Sequence, residues 1–224
     1  MFRAKRLPNT FLPLKYVFLL CLCIVSTTSL AQGDDINLNP LSSYVIEGKP
    51  VKPWTLAIGD NKDHYTPFTG MKTTSKTKKV IIQETNRNRK RDAIALKWKA
   101  KSGFGSFAIG GNMINLSSME DKAALAIDMR KDGKIKGGLG VSMMCEYPCR
   151  GAIAINAMIE SFDDGEWFTL PIPLKCFTNA GADLSKIDTP FHIESHGRAQ
   201  LSISHVRLIK LPAGFEDMCQ TPGE

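Results

Sequence analysis

Apolar and polar residues alternate along this chain with a period of two, the spacing of half-buried strands and not of amphipathic helices. Trp54–Ile58 alternates and stops at Gly59-Asp60-Asn61. Ala93–Trp98 sets Ile94, Leu96 and Trp98 on one face and ends at Ser102-Gly103. Ala123–Met129 alternates, Gly138–Met144 is the next strand, and Trp167–Leu174 follows the Asp163-Asp164-Gly165 turn. Leu201–Lys210 carries Leu201, Ile203, Val206 and Leu208 nearly in step. Val80–Ile82 reads as a short edge strand, and Phe107–Ile109 ends at Gly110-Gly111. Two segments, Asn156–Phe162 and Asn179–Ile187, read as short helical turns. Strands at roughly 8–15-residue spacing with Gly, Asn and Asp turns predict an all-β fold, a β-sandwich.

The ends of the chain differ in character from this middle. Residues 1–31 read as a secretory signal: Arg3, Lys5, Arg6 and Lys15 precede the apolar stretch Tyr16–Val25, and Ser29-Leu30-Ala31 offers a cleavage site near Ala31. That stretch rises only about 15 Å as a helix, half of a bilayer core, so cleavage is expected over anchoring. Residues 32–43 form a polar leader, 44–211 the sandwich, and 212–224 a loose tail. The protein is therefore expected outside the cytoplasm, periplasmic or secreted.

The charge balance changes with that division. The whole chain has 29 basic and 22 acidic residues, but four of the basic ones lie in the first 31. The remainder has a net charge of +3, far less basic than the chain as written. The runs Lys72–Lys79 and Arg87–Arg91 contain no stacking aromatics, so they read as solvated loops and not as a nucleic-acid surface.

Four cysteines remain after signal removal: Cys145, Cys149, Cys176 and Cys219. Cys145 and Cys149 flank a tight Glu-Tyr-Pro turn and are expected to pair. The wide spacing of the others argues against zinc. If the strand ending at Cys145 pairs with the one starting near Trp167, Cys176 lies at the far end of the sheet. It is then either free or bridged to Cys219 by a tail that folds back.

The segment Cys145-x-Tyr147-Pro148-Cys149-x-Gly151, with Gly165-Glu166-Trp167-x-x-Leu170, Pro173-Leu174-x-Cys176-Phe177 and Gly181-Ala182-Asp183-Leu184-Ser185, carries a family resemblance. Asp188-Thr189-Pro190-Phe191 and Ser202-x-Ser204-x-Val206-Arg207-Leu208 continue it, and Gly48-Lys49-Pro50 with Pro53-Trp54-x-Leu56 begins it. Over residues 44–210 the chain resembles the ExoP-type galactose-binding-like domain. That domain is the C-terminal module of secreted exo-β-glucosidases and exo-glucanases of glycoside hydrolase family 3. The resemblance implies a jelly-roll sandwich akin to carbohydrate-binding modules. It also implies a non-catalytic role in binding a β-glucan or related oligosaccharide, or else in packing on a separately encoded glycosidase. The residues left after the signal give no room for a catalytic barrel, so the parent enzymes' chemistry is not expected to transfer. The structural calcium of the wider class lacks an acidic ligand on the last strand, which reads SISHVRL, so neither cofactor nor metal is expected.

Sugar recognition needs an aromatic face for the C–H side of a pyranose and polar groups for its hydroxyls. Tyr147 at the tip of the cysteine loop, with Glu146 and Arg150 beside it, is the leading ligand-binding candidate. Tyr65 and Trp54 are the further ones, while Trp98 and Trp167 read as core. Asp163, Asp164 and Glu166 read as turn chemistry, and Asp183 as a cap for local N–H groups. In His192-Ile-Glu-Ser195-His196, alternation places Ser195 opposite the two histidines, which is not a catalytic arrangement. The chain is not expected to be an enzyme.

Overall fold

The computed structural model describes residues 42–215 and Cys219. The predicted signal, most of the leader and most of the tail lie outside the described residues. The elements are β1 (Ser43–Ile46), β2 (Lys49–Pro50), β3 (Thr55–Asp60), β4 (Asp63–Phe68), β5 (Thr73–Thr74), β6 (Val80–Thr85), β7 (Ala93–Trp98) and β8 (Gly105–Gly110). They continue as β9 (Ala123–Lys131), β10 (Leu139–Cys145), β11 (Arg150–Ala154), α1 (Asn156–Glu160), β12 (Trp167–Pro173), α2 (Leu174–Asn179), β13 (Ile187–Ser195) and β14 (Ala199–Lys210).

The strands form two antiparallel sheets facing each other, a jelly-roll sandwich. One sheet has eight strands, in the order β12-β9-β14-β7-β6-β5 with β1 and β2 added beside β14. The other has six, in the order β11-β10-β13-β8-β3-β4. Alternation decides which side chains meet between them. Ile94, Leu96 and Trp98 of β7 and Leu125, Ile127 and Met129 of β9 pack from the first sheet. Phe107, Ile109, Val141, Met143, Phe191 and Ile193 pack from the second.

The imperfect step in the last strand has a structural cause. The β14–β9 register shifts between Ile203 and His205, so the inward set passes from Leu201 and Ile203 to Val206 and Leu208. A bulge of this kind inserts one residue and flips the phase.

Several expectations need correction. The strand ending at Cys145 does not pair with the one starting at Trp167. β10 lies between β11 and β13, whereas β12 pairs with β9 in the other sheet. The helical turn expected over Asn179–Ile187 is only a 3₁₀ turn at Leu184–Lys186, and α2, just before that segment at Leu174–Asn179, is not expected from the sequence pattern. Val80–Ile82 extends to Thr85 and lies inside the sheet edge, which is the two-residue β5. Lys79 is not a solvated loop residue: it is fully buried, and its Nζ donates to the carbonyls of Lys101 (2.6 Å), His196 (2.7 Å) and Gly197 (3.2 Å). A buried ammonium needs such partners, and these three carbonyls come from two different turns.

Both disulfides are present. Cys145 and Cys149 close the short loop, and Cys176 of α2 bridges to Cys219, each with Cα atoms 5.0 Å apart. The cysteine loop is locked to α2 by close packing. A Cβ at Gly151 would lie 2.1 Å from the Phe177 carbonyl oxygen and 2.9 Å from the Ala182 nitrogen, so only glycine fits there. The Asp183 N–H approaches both Cys145 Sγ (3.2 Å) and Cys149 Sγ (3.3 Å), and the Asp183 carboxylate caps the Ser185 N–H at 3.0 Å.

Candidate functional site

The central strands of the six-stranded sheet carry small residues on their outer face. Opposite the inward Leu56, Ile58, Phe107 and Ile109 stand Ala57, Gly59, Ser106, Ala108 and Gly110. Larger side chains cover these small residues, and among them opens a groove of about 610 Å³.

One wall comes from β4 and the segment before β8. The Tyr65 ring lies over Gly110, where an added Cβ would fall 2.2 Å from the tyrosine oxygen. Burial raises the Tyr65 phenol above its ordinary pKa, with the nearby Asp188 carboxylate adding to it against a hydrogen bond with Thr55. The His64 ring stacks on Phe104 with centroids 5.5 Å apart and planes 23° from parallel. His196 closes that end, 6.2 Å from Phe104.

The other wall is the cysteine loop and β11. Tyr147 stands 95% exposed at the loop's tip. Arg150 donates from Nη2 to Glu194 Oε1 at 2.6 Å, while its Nε is buried with no hydrogen-bond partner among the described residues. Between the walls lies His192, whose Nδ1 meets Ser142 Oγ at 3.0 Å. Burial is the largest influence on its imidazole and lowers the pKa to about 4; Arg150 adds to this and Glu194 opposes it. The groove is therefore lined by aromatic rings, a neutral imidazole, a guanidinium with an unused donor, and the carboxylates of Glu194 and Asp188. Such a mixture can stack against a ring and exchange hydrogen bonds with hydroxyls.

Three of the five predicted ligand-binding residues, Tyr147, Arg150 and Tyr65, come together in this groove. Glu146 is exposed but does not line it; its carbonyl accepts from the Cys149 N–H across the loop. Trp54 is placed elsewhere, 3% exposed and edge-on to Tyr44 with centroids 5.1 Å apart, so it presents no face to a ligand. Sequence reasoning missed His64, Phe104, His192, Glu194, His196 and Asp188. A trace existed, since His192, Glu194 and His196 recur at every second residue of β13 and its end. Ser195 points the opposite way, as alternation required, and donates to the Gly138 carbonyl at 3.0 Å. Asp63–Phe68 does not stand out as a strand in the sequence, because a proline and three polar residues mask it.

Trp167 is also misplaced by the sequence reading. It is not core: it lies half-buried on the outer face of the eight-stranded sheet, with the guanidinium carbons of Arg87 and Arg130 each 5.2 Å from its ring. Arg87, expected in a solvated run, donates to Asp128 at 2.6 Å; Arg207 stands 3.2 Å from the same carboxylate and Thr169 donates to it at 2.8 Å. Burial would raise the Asp128 pKa, but the Arg87 hydrogen bond and the Arg207 charge outweigh it and hold the group below its ordinary value. Among the described residues, no group of three or more His, Cys, Asp or Glu is placed to hold a metal ion.

Residues 52–208 match the family model described as galactose-binding domain-like, that of the ExoP C-terminal domain. No curated protein matches the chain. The fold is similar to the extra C-terminal domain X of the exo-1,3/1,4-β-glucanase ExoP from a Pseudoalteromonas species. The two are 22% identical, with a TM-score of 0.64 over 77% of this chain and 94% of that domain. In the complete ExoP enzyme the same match spans only 21% of its chain. A family 30 carbohydrate-binding module is similar at 14% identity and a TM-score of 0.54, over 81% of this chain and 96% of that one. With the cysteine loop, the two sheets and the family match in agreement, the chain belongs to the galactose-binding domain-like family of the ExoP C-terminal domain.

Proposed function

We propose that this protein is an exported, non-catalytic carbohydrate-binding module whose groove holds a β-glucan-type oligosaccharide. The observation that carries the reading is the groove itself: Tyr147 and Tyr65 rise as aromatic walls, and the partly exposed Arg150 guanidinium, held by Glu194, offers donors between them. The groove's volume is in the range of small-ligand sites, roughly 300–1,000 Å³. The likeness to a domain of an exo-1,3/1,4-β-glucanase supports the choice of β-1,3- and β-1,4-linked glucose. Two disulfides support export, since such bonds persist in oxidising compartments.

Calorimetric titration with laminari-, cello-, mixed-linkage and xylo-oligosaccharides tests the reading. Binding is expected for at least one β-glucan, and Tyr147→Ala or Arg150→Met should weaken it at least tenfold, about 1.4 kcal/mol. Tryptophan emission is a poor readout here, because Trp54 and Trp98 are buried and Trp167 lies on the opposite sheet. No heat across the panel, together with co-purification of a glycosidase, would replace sugar binding by the docking role. Release of reducing sugar by the purified protein would overturn the non-catalytic assignment.

A further inference from the structure

The Lys131–Gly138 connection and the β13–β14 turn enclose a second recess of about 220 Å³, which shares no lining residue with the groove although His196 of the groove and Arg198 of the recess belong to the same turn. Lys97, Lys134, Lys136 and Arg198 line it, all four exposed, with Gln200 beside them. None of the four cations has an ion-pair or side-chain hydrogen-bond partner among the described residues. The one carboxylate in the lining, Asp132, is already taken: Arg130 Nε donates to it at 2.6 Å and Ser202 Oγ bonds its other oxygen. Lys136 and Arg198 are moreover held directly opposite each other, since each backbone N–H donates to the other's carbonyl at 2.7 Å. Like charges in such a pair repel, and the backbone bridge keeps the two side chains rooted side by side. Beyond residue 31 the chain's net charge is only +3, so these four side chains alone hold more than the whole excess.

We infer that this recess is an anion site that takes the carboxylate or sulfate groups of an acidic polysaccharide. Oxyanions satisfy both the unopposed charge and the forked donors of Arg198. No large exposed apolar side chain stands there to enter a lipid surface, and the one aromatic ring in the lining, Trp98, is fully buried, so it cannot stack on nucleobases. The choice of a polysaccharide rests on the sugar-binding reading of the groove; capture of an anion rests on this recess alone.

The test is an amide chemical-shift titration of the isotope-labelled protein with oligogalacturonate, sodium sulfate and neutral laminari-oligosaccharide. Oligogalacturonate should move the amides of residues 133–138 and Arg198, and the neutral sugar should leave them still. Affinity should fall at least tenfold in the Lys136→Gln/Arg198→Gln variant and less than twofold in Lys72→Gln/Lys76→Gln, which removes equal charge elsewhere. Equal losses in both variants would overturn the site. Sulfate alone binding as tightly as the oligomer, or saturation by phosphatidylglycerol vesicles in its place, would overturn the polysaccharide assignment. The Tyr147→Ala variant separates the two readings: it should lose neutral sugar and keep oligogalacturonate.

Discussion

At the residue scale, His192 links the groove to the acid sensitivity of the whole protein. In the fold its imidazole protonates at about pH 4, against 6.5 for a free histidine, chiefly because burial disfavours the charged ring. Between those values only the unfolded chain holds the proton, so acidification favours unfolding. The stabilisation is complete above about pH 6.5 and is lost as pH falls toward 4, a change of roughly 3 kcal/mol. Asp60 and Asp92 act in a lower window. Burial opposes their ionisation, but backbone amides outweigh it and hold both at about 2, so their contribution is lost as pH falls below the ordinary 3.8. Urea unfolding at pH 7.5 and 5.0 separates the groups. His192→Gln should lose about 2 kcal/mol less than the parent between those two conditions. An identical pH dependence would remove His192 from the account. None of this is legible in the one-dimensional pattern, where His192 and His196 merely share a parity. The hydrogen-bond partner of the buried ring, Ser142, is fifty positions away and on another strand.

At the element scale, the cysteine loop, β11 and the end of α2 behave as one unit. Gly151 makes that possible, because the Phe177 carbonyl occupies the space a side chain would need. Gly151→Ala must push α2 from the sheet, and overpacking of this kind costs about 2–3 kcal/mol. Thermal unfolding should move down by about 5–10 °C. A shift under 2 °C would mean that α2 yields freely. The elements themselves differ in legibility. Strands whose inward residues are consistently apolar, such as β7, show their alternation plainly, and β7 runs over Ala93–Trp98 as the pattern predicts. β13 does not stand out as a strand, since seven of its nine residues are buried and its outward positions include histidine and glutamate facing the groove. The false pairing of β10 with the Trp167 strand arises because proximity in sequence says nothing about which sheet a strand joins. In this fold the chain passes repeatedly from one sheet to the other.

At the scale of the molecule, the second disulfide ties Cys219 back to α2 and closes a span of 43 positions. In the chain-entropy account a loop of that length stabilises by about 4 kcal/mol, against roughly 2 for the five-residue cysteine loop. Cys176→Ser/Cys219→Ser should accordingly lower stability more than Cys145→Ser/Cys149→Ser in denaturant unfolding, while only the latter loosens Tyr147 and weakens sugar binding. The reverse order would show that the tail bridge constrains little. The amino-acid sequence alone determined the class of fold, the turns, and the pairing of Cys145 with Cys149, because alternation, turn chemistry and short loop closure act over a few neighbouring residues. It also carried enough of the family pattern to identify the module. Only the tertiary structure decided the groove, the cationic recess, the burial of Lys79 and the approach of two arginines to the Trp167 ring. Each of these assembles side chains from strands far apart in the chain, and which of them meet depends on sheet order and register, properties that no local stretch of residues encodes.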